Sequence, residues 1–167
     1  TSGEATRADN TIDLGSANYR FNDAFLGGGI HLGGTGAANK LGDYEEGTWT
    51  AGFAGVSGNT ATGTNTVHGY YTKIGRQVNL YFYINTINLG SITSGSYVIL
   101  TGLPFAASAY SDLQWSYHRG GNAITGAYIQ SGVSYAYLTD SSGIEIQQSA
   151  NQTITALIGS ASYMTNA

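Results

Sequence analysis

The chain has no cysteine, which excludes a disulfide framework, a thiolate metal site and a cysteine nucleophile. Charge is almost as scarce: only 10% of the 167 residues are ionic, against roughly 25% in an ordinary soluble domain. Six Lys and Arg against ten Asp and Glu cannot make the basic footprint of a nucleic-acid binder. No apolar run approaches the ~20 residues that a helix needs to cross a bilayer, so no membrane insertion is expected. No basic-then-apolar leader opens the chain, and Thr1 in place of Met suggests a mature chain or a fragment. The single proline, Pro104, falls between strand-like runs, where its missing N–H does little harm.

What is present is glycine (25), tyrosine (13) and an uneven distribution of charge. Residues 1–46 hold seven acids and three bases, and so carry the whole net charge of −4. Residues 47–167 hold three acids (Asp112, Asp140, Glu145) and three bases (Lys73, Arg76, Arg119). A disordered chain keeps itself solvated with net charge and few aromatics. This neutral body has 11 tyrosines and two tryptophans, so it must fold, with Ser, Thr, Asn, Gln, Gly and Tyr covering its surface.

The body reads as strands. From Arg76 to Asn85, Val78, Leu80, Phe82 and Ile84 alternate with Gln77, Asn79, Tyr81 and Tyr83, the period-2 pattern of a half-buried strand. Similar runs span Thr48–Phe53, Val67–Ile74, Ser96–Leu100, Asp112–His118, Ala123–Gln130, Val133–Asp140, Gly143–Gln148 and Thr153–Met164. About nine strands at ~8–12-residue spacing predict an all-β, jelly-roll-like β-sandwich head over 47–167. Residues 1–46 differ in kind, with nine glycines and few side chains to pack. Their apolar residues Leu14, Tyr19, Phe21, Phe25, Leu26, Ile30 and Leu32 cannot close a core alone. Glycine permits close backbone approach, which favours a glycine-rich extended stalk of identical chains over a flexible linker. Tyr19, Phe21, Phe25, Leu26, Ile30 and Leu32 are then its candidate association residues.

Three motif groups resemble one family. Asp13-Leu-Gly-Ser-Ala-Asn-Tyr-Arg-Phe-Asn-Asp-Ala-Phe-Leu26, the glycine-rich Gly28–Leu41 and Asp43-Tyr-Glu-Glu-Gly-Thr-Trp-Thr50 are similar, in that order, to the segments that lead into the C-terminal β-domain of tailed-bacteriophage tail fibres. Ala51 stands where those fibres usually have proline. Gly69-Tyr-Tyr-Thr-Lys-Ile-Gly-Arg76, Gly102-Leu-Pro-Phe105 and Gly159-Ser-Ala-Ser-Tyr-Met-Thr165 extend the likeness. The resemblance implies an extracellular virion component, joined upstream to other fibre and virion proteins. It also implies a homotrimer whose β-rich stem leads to a head that contacts the host surface, and it implies no enzyme.

The residues offer little for catalysis. His31, His68 and His118 fall in no zinc-ligand spacing, and neither a Gly-x-Ser-x-Gly elbow nor a P-loop occurs. A glycosidase needs paired carboxylates roughly 5–9.5 Å apart, for which the body offers only Asp112, Asp140 and Glu145. Asp43, Glu45 and Glu46 read as a solvated hinge rather than as oxygen ligands for a cation. No metal or cofactor is expected.

Recognition fits better, because Tyr and Trp stack on the apolar faces of sugars while amides and hydroxyls bond their OH groups. The richest run is Trp115-Ser-Tyr-His-Arg-Gly-Gly-Asn122. Strand parity places Leu113, Trp115 and Tyr117 on one face, with Trp115 in the core. Tyr117, His118, Arg119 and Asn122 are candidate receptor contacts, with the latter three at an exposed turn. The pairs Tyr135/Tyr137 and Tyr81/Tyr83 join them, with a trimer interface as the alternative for each pair. Tyr70-Tyr71 straddles a strand, so one of the two should be buried. The expected function is host-surface adsorption, to a glycan or an outer-surface protein. The alternatives are a purely structural virion fibre or decoration protein and, third, a surface-polysaccharide depolymerase.

Overall fold

Burial follows the alternation of the clearest strand: Val78, Leu80, Phe82 and Ile84 are buried, and the residues between them face outward. The computed structural model describes residues 11, 13–62, 65–120, 124–148 and 153–166 (backbone alone for 65–67). The strands are β1 (Ile30–His31), β2 (Lys40–Leu41), β3 (Tyr44–Thr48), β4 (Gly52–Gly55), β5 (Asn65–Ile74), β6 (Gln77–Asn88), β7 (Val98–Thr101), β8 (Ser111–Gly120), β9 (Gly126–Ile129), β10 (Ala136–Thr139) and β11 (Thr153–Met164). No α-helix occurs among the described residues; there are two single 3₁₀ turns. The protein is all-β and sandwich-like.

Nine strands form one curled antiparallel sheet in the order β3-β5-β6-β11-β8-β9-β10-β7-β4. Its two edges, β3 and β4, are consecutive in sequence and joined only by Trp49-Thr50-Ala51. That short link obliges the sheet to roll until its edges nearly meet. The β8–β9 ladder has three residue pairs, Ser111↔Ile129, Asp112↔Tyr128 and Leu113↔Ala127, and the β10–β7 ladder two, Ala136↔Leu100 and Tyr137↔Ile99. The rolled sheet encloses Phe53, Phe82, Leu100, Leu113, Ile129, Leu138 and Leu157, all under 2% exposed. Phe82 bridges the two tryptophans edge-on, 5.6 Å from Trp49 and 5.8 Å from Trp115 between ring centroids.

Two expected strands come out differently. The run 48–53 is no single strand, because Trp49–Ala51 is the crossover between the sheet's edges. Residues 143–148 form isolated bridges only, Thr139↔Glu145 and Tyr97↔Gln147. Ile146 donates to the Leu138 carbonyl and accepts from Val98 N–H, both at 2.9 Å, so this segment fills the splay between β10 and β7.

The segments that carry the resemblance meet at one end of the sandwich. The Lys73 ammonium, on a side chain only 7% exposed, pairs with the Asp43 carboxylate and lies 5.5 Å from the centre of the Phe105 ring. The Tyr71 hydroxyl donates to Glu45, and its ring meets Phe105 edge-on at 5.4 Å. Tyr163 donates to the Phe105 carbonyl at 3.0 Å, and burial pushes its hydroxyl up to about 12. Arg76 Nε donates to the Thr165 carbonyl at 3.2 Å. Within the chain, then, Asp43 and Glu45 serve as structural acceptors.

The preceding segment is extended and thinly packed. β1 and β2 share two residue pairs, and Leu32 N–H donates to the Asn39 carbonyl at 2.9 Å to close the hairpin. Tyr19 (82%), Phe21 (64%), Phe25 (94%), Leu26 (57%), Ile30 (47%) and Leu32 (56%) all stay exposed.

Candidate recognition surface

The densest aromatic group lies on the outer face of β9 and β10. In β9, Ala127 and Ile129 point inward, so Tyr128 between them points out. In β10, Ala136 and Leu138 do the same for Tyr137. Register then sets Tyr128 opposite Tyr137. Their rings stack at 5.4 Å and 21°, with Tyr110 stacked on the other side of Tyr128 at 6.2 Å. Tyr135 closes the row edge-on to Tyr137 at 5.5 Å.

One carboxylate organises the row: Tyr128 donates to Glu145 Oε1 at 2.7 Å. That bond lowers the Glu145 pKa below the ordinary carboxylate value. Burial, and then the same bond, hold the Tyr128 hydroxyl well above the usual tyrosine range. The contact to Tyr135, followed by burial, pushes Tyr137 up to about 12. The result is a row of four rings with the Glu145 carboxylate bonded to it. Such a surface can stack on apolar ring faces and accept hydrogen bonds from hydroxyls.

A second outer patch lies on β5, β6, β11 and β8. Register lines up His68–Tyr83–Ile158–Tyr117 and, beside it, Tyr70–Tyr81–Ser160–Gln114. His68 stacks on Tyr70 at 5.7 Å and 20°, and the Tyr70 hydroxyl lies 3.3 Å from His68 Nδ1. Tyr70, Tyr81 and Tyr117 are about half exposed. Tyr71 packs against the core, as the straddling Tyr70-Tyr71 pair requires.

The expected contacts therefore divide. Tyr135 and Tyr137 belong to the first patch, and Tyr81, Tyr83 and Tyr117 to the second, Tyr117 lying further along β8 than Asp112, the register partner of Tyr128. Tyr117 does not share a face with Leu113 and Trp115. The pairing of β8 with β11 shifts between Tyr117 and Trp115, and this bulge at Ser116 reverses parity. Trp115 stays inside against the core and Tyr117 turns out. The bulge also turns the neighbouring His118 inward. Its Nε2 and Trp115 Nε1 are buried without a hydrogen-bond partner among the described residues, so His118 is no exposed turn contact. Arg119 is exposed, on β8 rather than in a turn. Asn122 lies outside the described residues.

Tyr110, Tyr128 and the partner role of Glu145 were missed from sequence. The Ala-Tyr-Ile alternation at 127–129 carried the signal for Tyr128, whereas nothing local marks Glu145 as its partner. Asp140 serves its own turn, its Oδ1 accepting from Ser142 and Ile144 N–H at 2.8 and 3.0 Å. Among the described residues no group of three or more His, Asp or Glu is placed to hold a metal ion. Searches of protein-family models, curated proteins and solved structures return no match to this chain.

Proposed function

We propose that this chain is the tip of a bacteriophage virion fibre, a homotrimer whose jelly-roll-like head adsorbs to the bacterial surface. The observation that carries the receptor role is the outward-facing row Tyr110–Tyr128–Tyr137–Tyr135 with Glu145, on a head that has no net charge. It suits an uncharged, hydroxyl-rich partner such as a surface glycan, because rigid rings lose little entropy when they bind. Support for association of copies comes from the stem, whose Tyr19, Phe21, Phe25 and Leu26 are exposed among the described residues. A stalk built from several copies would bury them. The reading assigns no catalytic residue and no cofactor, and it places the protein in the virion, outside the cell.

A purely structural fibre is the second reading. It is favoured by the tyrosine hydroxyls already being engaged, Tyr128 with Glu145 and Tyr135 with Tyr137 (3.5 Å). Such a row could equally seat a neighbouring copy. Labelled protein applied to a panel of bacterial strains separates the two. Receptor binding predicts saturable attachment to some strains, competition with phage adsorption, and loss of attachment in Tyr137→Ala or Arg119→Ala variants that still assemble. Attachment to no strain, or variants that attach as well as the parent, would leave the structural role.

A further inference from the structure

We infer that the seam where the rolled sheet fails to close is a second ligand site, a groove for an unbranched, uncharged oligosaccharide. Between the β3–β5 edge and β4 lies a cleft of about 480 Å³, within the ~300–1,000 Å³ of small-molecule sites. Its floor is apolar, formed by Trp49, Ala51 and Phe53, all buried. Its polar side chains are those of Thr48, Thr50, Thr60 and Thr101, together with His68 and the Tyr70 stacked on its ring. Each threonine hydroxyl can donate one hydrogen bond and accept two. Among the described residues, the lining includes no Asp, Glu, Lys or Arg.

The cleft does not end at Tyr70. The same ring walls a hollow of about 400 Å³ against Glu46, Thr48 and Thr72. It walls another of about 230 Å³ against Asn79 and Tyr81. Three hollows sharing one half-exposed aromatic ring form a track rather than a single-ring pocket. Sugar residues would stack on Tyr70 and Tyr81, with threonine hydroxyls and the Asn79 amide bonding their OH groups. Glu46 is the one Asp, Glu, Lys or Arg along the track among the described residues, and its carboxylate already accepts from Tyr44 at 2.8 Å. It would repel an acidic sugar and accept from a neutral one. At Gly52 and Gly69 the walls of the cleft approach so closely that there is no room for a side chain. A Cβ at Gly52 would meet Thr101 Oγ1 at 2.9 Å, and one at Gly69 would overlap the Trp49 carbonyl.

This site is distinct from the Tyr128–Tyr137 row and does not rest on the fibre reading. The full chain is titrated with disaccharides and hexasaccharides of the malto-, cello- and chito-series, with acidic oligogalacturonate as the comparison. Intrinsic tryptophan fluorescence reports binding, since Trp49 is in the floor. At least one neutral hexasaccharide should give a saturable change and bind on the order of tenfold tighter than its disaccharide. Tyr70→Ala, at a half-exposed position, should weaken it about tenfold through the lost ring contact. Thr50→Glu, at an exposed cleft position, should abolish it without altering the circular dichroism. The proposal is overturned if no neutral hexasaccharide perturbs the fluorescence. It is equally overturned if oligogalacturonate binds as well as the neutral sugars, or if binding falls with Tyr137→Ala and not with Tyr70→Ala. Host-cell attachment enters none of these outcomes, so the fibre reading stands or falls separately.

Discussion

The Trp49–Ala51 crossover is held between two glycines, and replacing either with alanine should destabilise the head for a reason visible only in three dimensions. Gly69 on β5 receives Trp49 N–H on its carbonyl at 3.0 Å. A Cβ there would overlap the Trp49 carbonyl oxygen, and a Cβ at Gly102 would overlap that of Thr50. To regain the 3.3–3.6 Å of an ordinary carbon–oxygen contact, backbone must retreat by roughly 1 Å. Overpacking of this kind costs about 1–3 kcal/mol, and loss of the Trp49–Gly69 hydrogen bond adds about 0.5–1.5 kcal/mol. Gly69→Ala should therefore cost about 2–4 kcal/mol in total. Gly102 sits at φ 88°, so Gly102→Ala adds left-handed strain of about 1–2 kcal/mol to its own overlap. The control is Gly75→Ala in the β5–β6 turn, at φ 57° with nothing within 4 Å of its Cβ, where the strain of about 1–2 kcal/mol stands alone. Urea unfolding at one fixed protein concentration measures all three, the fixed concentration holding any contribution of association constant. With m near 2 kcal/mol/M, Gly69→Ala should lower the midpoint by about 1–2 M. A Gly69→Ala variant at least as stable as Gly75→Ala would refute the clamp.

Other consequences can be checked by similar means. Asp43→Ala strands the buried Lys73 ammonium and should cost about 1–3 kcal/mol, less than a fully buried pair because Asp43 is half exposed. Lys73→Met, which removes that charge, should cost less in the same urea assay. Glu145 has its pKa lowered by Tyr128, so its contribution is present above the ordinary carboxylate value and lost as pH falls through the depressed one. Tyr128→Phe should flatten the acid limb of a stability–pH profile. Tyr137 is raised to about 12, so its contribution is full below about 10, the ordinary tyrosine value, and lost as pH rises from there to about 12. Tyrosinate absorbance should accordingly show a late-titrating group that Glu145→Gln moves earlier. Light scattering at micromolar concentration should give a multiple of 17.4 kDa, and Phe25→Asp in the stem should shift it toward one chain; a parent of about 17 kDa would undo the stalk.

Much of the sheet was legible because parity is local. Gln77–Ile84 states its own inner and outer faces, and the tyrosines at 81, 135 and 137 could be placed on one side of their strands without knowledge of any neighbour. Legibility ended where a position depends on a partner strand. The Ser116 bulge exists only in the register of β8 against β11, and it decided that Tyr117 faces out and His118 faces in. The site was less legible than the fold for the same reason. Tyr110, Tyr128, Tyr135, Tyr137 and Glu145 come from four segments that only the antiparallel register sets side by side.

The sequence by itself determined an all-β chain without cysteine chemistry, with an acidic glycine-rich leading segment and a neutral, tyrosine-rich body. Composition and period-2 alternation suffice for that, since both are properties of residues and their immediate neighbours. Tertiary structure alone decided that the two edge strands are chain neighbours, so the sheet rolls and leaves a seam. It also made the motif glycines at 69 and 102 the walls of a crossover, and gathered scattered tyrosines into a row around one carboxylate. Those outcomes arise from backbone approach and strand register across long sequence distances, which no local pattern encodes.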